Sequence, residues 1–271
     1  MVRFAFAAAL AAAALGVAVS AQGRRGPDRP RAGCGDFGNS DRASFCEVRD
    51  ETVPGGGVNP LDVDAGRNGG IRVRGWDRAD VHMRAVVSAW ADTDAQARQT
   101  VAGVRIVTGG GTIRPEGPDT SGGNGNWSVS FELDVPRTAI ITLNAHNGGV
   151  SIDDFQGTAK FHAVNGGVTL RNVSGDIRGE TVNGGVTVDL TGDHWNGAGL
   201  DVETRNGGIR MTLPEQYSAS LETATTNGRI NIDFPVTVPG RITRSLTTTL
   251  GAGGARIRAI TTNGGVTIRR Q

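Results

Sequence analysis

The sequence predicts an all-β fold: a parallel β-solenoid of about 18 residues per coil, preceded by a β-rich N-terminal region with one short helix. Three observations predict it. The tetrapeptide Asn-Gly-Gly-Val, or a near copy, recurs through the second half of the chain. Apolar and polar residues alternate after each copy, the period of a half-buried strand. Glycine supplies 42 of 271 residues and aromatic residues only 5%, which suits tight turns and small side chains packed in layers.

The N-terminus reads as an export signal. Residues 1–21 carry one cation, Arg3, then an apolar run from Phe4 to Val19, then Val19-Ser20-Ala21 with small residues where a signal peptidase cuts. The run is shorter than the ~20 residues that span a bilayer. Cleavage is expected before Gln22, and no cysteine follows directly to take a lipid. The mature chain is therefore expected outside the cytoplasm, in the periplasm or at the cell surface, with no transmembrane anchor. Loss of Arg3 leaves 27 Lys and Arg (28 − 1) against 27 Asp and Glu. A neutral chain makes no electrostatic case for nucleic acid or an anionic membrane.

Residues 22–33, QGRRGPDRPRAG, have almost nothing to bury and read as a disordered basic linker. Residues 34–58 read as a disulfide loop, because Cys34 and Cys46 lie close together in an exported chain. Residues 59–145 form the β-rich region, with strands through Ile71-Arg-Val73-Arg, Val81-His-Met83-Arg and Val129-Ser-Phe131-Glu-Leu133. One helix interrupts them. Thr93-Asp94-Ala95-Gln96 fits a capping box, with Ala97, Val101 and Val104 on one face. Gly117 to Gly125 reads as an exposed loop.

Residues 146–271 are the repeats. The corners are Asn147-Gly148-Gly149, Asn165-Gly166-Gly167, Asn183-Gly184-Gly185, Asn206-Gly207-Gly208, Asn227-Gly228 and Asn263-Gly264-Gly265, with an outlying copy at Asn68. The first two intervals are 18 residues and the next are 23, 21 and 36. The last equals two periods, which predicts a degenerate corner near Ser245. A fixed period of this size marks a repeat architecture. Val150, Val168, Val186, Ile209, Ile230 and Val266 fall in one apolar column; Ile152, Leu170, Val188, Met211, Ile232 and Ile268 fall in another. A second strand follows each turn, through Ala159-Lys-Phe161-His-Ala163 and Ile177-Arg-Gly179-Glu-Thr181. Two short strands are marginal alone, so the coils must stack at ~4.8 Å. Asn-Gly-Gly supplies the corner, with asparagines hydrogen-bonding along the axis and glycines taking positive φ. Gly264, in the last copy, is expected to have one neighbouring coil at most.

These repeats, the strand pair per coil, the upstream strands with one helix and the Val135-Pro136 step into the repeats resemble the bacterial candidate-adhesin family of unknown function, which consists of exported β-repeat domains. The resemblance covers roughly Asn59 to Arg270. It implies a non-catalytic surface or envelope protein that binds or scaffolds through its solenoid, and it brings no catalytic residues.

The chemistry-bearing residues agree with that expectation. His82, His146, His162 and His194 are scattered, and HExxH, GxSxG and P-loop motifs are absent from the sequence. A calcium-binding repeat needs Asp where Ser151, Thr169, Thr187, Arg210, Asn231 and Thr267 stand. No cofactor and no metal is expected. The alternative is a polysaccharide-acting β-helix hydrolase or lyase using Asp153 and Asp154, with Asp176 and His162 nearby; these carboxylates are expected instead to be solvated turn residues. An enzyme would show a deep cleft around them. A binding protein would show a flat polar face, and Trp76, Trp90, Trp127 and Trp195 are candidates for sugar stacking. The expected partners are envelope polysaccharide or another envelope protein.

Overall fold

A computed structural model describes residues 34, 42–53, 60–120, 125–235 and 244–271. The expected signal peptide and basic linker lie outside the described residues, as do residues 121–124 of the expected loop. The described residues form twenty strands and one helix, and the strands make two ten-stranded sheets.

Each coil contributes one strand to each sheet. In the repeats the pairs are β8 (Ile140–Asn147) with β9 (Val150–Asp153), β10 (Thr158–Asn165) with β11 (Val168–Arg171), and β12 (Asp176–Asn183) with β13 (Val186–Asp189). They continue as β14 (Gly199–Asn206) with β15 (Ile209–Leu213), β16 (Ala219–Asn227) with β17 (Ile230–Ile232), and β19 (Arg256–Asn263) with β20 (Val266–Arg270). Pairing between successive coils is parallel and in register, Val150 beside Val168 beside Val186. The two apolar columns are buried throughout these strands except at Ile230 and Ile232, which are half-buried. The second strands supply the facing wall, where Ile141, Ala159, Ile177, Leu200, Ile257 and Leu221 form one buried column.

The solenoid begins well before residue 146. β2 (Leu61–Asp64) pairs β8, and β3 (Ile71–Trp76) pairs β9, so Asn68 is an in-register corner of the same stack. The chain then leaves through β4 (Val81–Ala91), α1 (Asp94–Gly103), the β5–β6 hairpin (Arg105–Gly109, Thr112–Glu116) and β7 (Asn126–Pro136). β6 and β7 lie on the far side of β2 and β3 from the repeats. The segment read as a disulfide loop contains an eleven-residue strand, β1 (Ala43–Val53), which pairs antiparallel with β4 along the sheet edge. Its exposed Glu47, Asp50 and Glu51 blunt that edge against further pairing. Cys34 and Cys46 are bonded.

The helix forms as the sequence predicts. The Gln96 amide donates to Thr93 Oγ1 at 3.3 Å, and Ala97, Val101 and Val104 are buried in the core. Its C-terminal carbonyls are satisfied by β1: the Arg49 guanidinium donates to Val104 O at 2.6 Å and Val101 O at 3.0 Å.

The C-terminal end departs from the expected order. β18 (Ser245–Leu250) is an antiparallel partner of β16 at the sheet edge, so the 36-residue interval is an outward excursion and not a skipped corner near Ser245. The last coil then returns inward, with β19 between β14 and β16, and β20 between β15 and β17. Gly264 therefore has a coil on each side, against the expectation of one. Nearby, Tyr217 is 2% exposed, and burial with the negative charge of Asp193 pushes its phenol up to about 12. The fold favours the protonated phenol, so this contribution is complete below pH ~10 and is lost as pH rises toward 12, roughly 2–3 kcal/mol in all. Tyr217 is the single tyrosine of the chain, so ultraviolet titration of its phenolate reads the shift directly. A midpoint near 10 in the folded protein would contradict it.

Candidate binding surface: the asparagine edge

The Asn-Gly-Gly corners lie in one line along the solenoid. Asn227 donates its side-chain amide to Asn263, Asn263 to Asn206, and Asn206 to Asn183, each at 2.8 Å. The line continues from Asn183 to Asn165 (2.8 Å), Asn147 (2.9 Å), Asn68 (3.0 Å) and Asn126 (3.3 Å). Eight amides thus form one ladder in the spatial order of the coils.

At most of these corners glycine is required for a reason other than the one expected. Gly69 (φ 147°) and Gly264 (φ 159°) have positive φ, whereas Gly148, Gly166, Gly184 and Gly207 in the same column do not. What they need is the absence of a side chain: a Cβ on each would fall on the first-glycine carbonyl of the preceding coil, Gly166 on Gly148 and Gly184 on Gly166, closer than real Cβ atoms approach. Positive φ also appears at the opposite corner, at Asp154 (φ 56°), Asn172 (φ 49°) and Gly175 (φ 99°).

A second column went unread in the sequence. Thr181, Thr204, Thr261 and Thr225 stand two residues before the corner asparagine, are buried, and each donates at 2.7 Å to a first-glycine carbonyl of the adjoining coil. The repeated T-x-N-G spelling was the available signal. Ala145 and Ala163 hold the same column in the first repeats. Thr181→Val is expected to cost about 1–2 kcal/mol through loss of the donor to Gly166 O. Chemical denaturation measures this, and an unchanged midpoint would contradict it.

The candidate catalytic carboxylates are already engaged. Asp153 stands on the outward face of its sheet in a line of alternating charge, Asp134, Arg74, Asp153, Arg171 and Asp189, in register on successive strands. It accepts from Ser151 at 3.0 Å and pairs Arg171 at 3.5 Å. Asp154 is a corner residue that accepts from Asn172 at 2.6 Å. One wide-open depression of about 590 Å³ contains neither; Asp64, Arg67, Asn144, His146 and His162 are among the residues that line it. His162 pairs Glu180 at 3.1 Å, away from both. Asp176 pairs Arg178. His194 lies beside Asp193, and His82 lies between Asp50 and Asp134. Among the described residues no three His, Cys, Asp or Glu side chains are grouped to hold a metal ion, and no helix is long and apolar enough to cross a membrane.

The tryptophans are not one platform. Trp195 is 3% exposed and donates to Gly175 O, so it is a core residue. Trp127 is half-buried and donates to Pro118 O; Trp76 carries the Arg78 guanidinium 4.5 Å from its ring centroid. Trp90 is half-buried near the end of β4.

The two long edges differ in charge. The hexapeptides at the seven corners, 67–72, 146–151, 164–169, 182–187, 205–210, 226–231 and 262–267, contain no Asp or Glu, and they hold Arg67, Arg72, Arg205, Arg210 and Arg229. Two of them, 67–72 and 205–210, are the identical string RNGGIR, which is the signal of this strip in the sequence. The opposite corners carry Asp77, Asp80, Asp154, Asp193, Glu215 and Asp233 against Arg78, Arg137, Arg269 and Arg270.

A family model described as Toastrack DUF4097 matches residues 52–269. No curated protein matches the sequence. Among solved structures, the chain is similar to a candidate cell adhesion protein from Clostridium sporogenes, at 12% identity over 84% of this chain and 100% of that one, with a TM-score of 0.47. It is also similar to a candidate adhesin from Bacteroides fragilis (11% identity, 84% and 97% covered, TM-score 0.29). A third is a candidate lipid binding protein from Parabacteroides distasonis (10% identity, 82% and 96% covered, TM-score 0.25).

Proposed function

The chain belongs to the Toastrack DUF4097 family, and from that premise we propose that it is a non-catalytic exported protein of the cell envelope, working by adhesin-like binding or scaffolding through the surface of its solenoid. The observation that carries this reading is the continuous corner edge. Side-chain and backbone hydrogen bonds hold one exposed motif at a constant spacing along the stack, which is a preorganised surface. The position of Asp153 and Asp154 supports it, because both are committed to neighbours on a flat face and a corner. The sequence of residues 1–21 and the Cys34–Cys46 bond support export to an oxidising compartment, periplasm or cell surface. Envelope polysaccharide and another envelope protein are the partner classes such a surface fits.

The test uses the mature chain from its native host. Incubated with a panel of envelope polysaccharides, it is expected to release no new reducing ends and to sediment with the envelope fraction. Hydrolysis abolished by Asp153→Asn or Asp154→Asn would replace this reading with the enzymatic one.

A further inference from the structure

We propose that the asparagine edge binds an extended acidic polysaccharide bearing about one carboxylate per sugar, with Arg67, Arg205, Arg210 and Arg229 as its ion-pairing contacts. This rests on the binding role above and names the ligand chemistry.

Three features of the edge carry it. First, all four arginines are exposed and form no ion pair among the described residues, in a strip whose seven hexapeptides hold no carboxylate. The carboxylates that flank the strip on the β10–β12–β14 side are occupied: Asp64 accepts from the Gly66 amide, Glu180 pairs His162, and Glu203 pairs Arg258. Second, the ladder leaves hydrogen-bonding capacity pointing outward. A side-chain amide has two N–H donors and an oxygen with two lone pairs, and an interior rung uses one of each. Every interior asparagine except Asn68, whose amide nitrogen also donates to Trp127 O, therefore offers a donor and an acceptor, the pairing that sugar hydroxyls need. Third, the coil spacing of ~4.8 Å is close to the length of one pyranose along an extended chain, so equivalent groups meet successive sugars.

Charge density selects the polymer. Asn68 and Asn206 are four coils apart, and Asn227 two further, so the four guanidiniums span ~29 Å at the strand spacing. Duplex DNA carries a charge every ~1.7 Å and would find few partners there. The seven hexapeptides hold no Phe, Tyr or Trp on which unpaired bases would stack. On the opposite edge arginines are taken up by carboxylates, Arg137 by Asp77, Arg78 by Asp80 and Arg270 by Glu215, so the corner strip is the edge that a polyanion would take. The open depression beside Arg67, His146 and His162 adjoins one end of the strip and seats the end of the chain.

The experiment is calorimetric titration of the mature chain with polygalacturonate, with dextran as the neutral polymer and polyuridylate as the nucleic acid. Polygalacturonate is expected to bind, to weaken as salt is added, and to outbind both controls. Each single Arg→Ala at 67, 205, 210 or 229 should weaken binding roughly two- to fivefold, and all four together at least about tenfold. These side chains are exposed, so the parent's melting temperature should persist. Asp193→Asn with Asp233→Asn, on the opposite edge, should not weaken binding. Equal binding of dextran, tighter binding of polyuridylate, or full affinity in the fourfold variant would overturn the proposal. No binding to polygalacturonate by a chain that still sediments with envelope material would overturn this proposal alone; failure of both would remove the binding role as well.

Discussion

Gly184→Val is expected to cost the folded chain about 3 kcal/mol or more, and Gly264→Val is expected to cost as much. A Cβ at Gly184 meets the carbonyl of Gly166, and one at Gly264 meets the carbonyl of Gly207. Both obstacles are backbone held in a parallel ladder, so neither moves without breaking hydrogen bonds between coils. Chain order alone makes Gly264 the milder site, as the last copy. Spatial order makes it interior, between Gly207 and Gly228. Urea unfolding of the two variants against the parent decides the matter, and a negligible loss at Gly264 beside a large one at Gly184 would mean that the last coil stands at the end of the stack.

Phe161→Ala should cost about 3–5 kcal/mol. Phe161 is 4% exposed and stands in register with Gly179, and a Cβ on Gly179 would run into the Phe161 ring and carbonyl. The phenyl thus fills the volume that the next coil leaves empty, and its removal opens a cavity spanning two coils. Because each coil contacts only its neighbours, such a defect weakens the coupling of the stack on both sides. A loss below about 1 kcal/mol in the same urea assay would show that the coils close over the gap, contrary to the packing described.

The parts of the fold that repeat were legible in the sequence. The apolar columns from Val150 to Val266 and from Ile152 to Ile268, the corner asparagines and the Thr93-capped helix all appear where the residue pattern places them. What was illegible follows from the repetition itself. Every corner is the same motif and pairs equally well with any other, so chain order does not encode spatial order; Asn263 docks between Asn206 and Asn227 although it follows both. Asn126 joins the ladder with no glycine pair beside it to mark it. The demand for glycine was legible and its cause was not, because a close carbonyl in the next coil is a tertiary fact while positive φ is a local one. For the candidate site, the dispersal of the histidines was visible in their spacing. The commitment of Asp153 to Arg171 needed the 18-residue register to bring them together. The basic strip was written twice as RNGGIR, yet it becomes a strip only when seven separated corners are aligned.

The binding proposal and the corner energetics both require one continuous edge with the coils in the order 68, 147, 165, 183, 206, 263, 227. Paired cysteines test that order directly. Thr204 and Asn206 lie opposite Thr261 and Asn263, which places Arg205 opposite Thr262, one strand spacing away. Arg205 and Thr226 are two spacings apart, ~9.6 Å, beyond the reach of a disulfide. The variant carrying Arg205→Cys and Thr262→Cys is expected to form the bond under mild oxidation, seen as a cross-linked peptide by mass spectrometry, while Arg205→Cys with Thr226→Cys is not. The reverse pattern would place the coils in chain order and contradict the continuous edge described here.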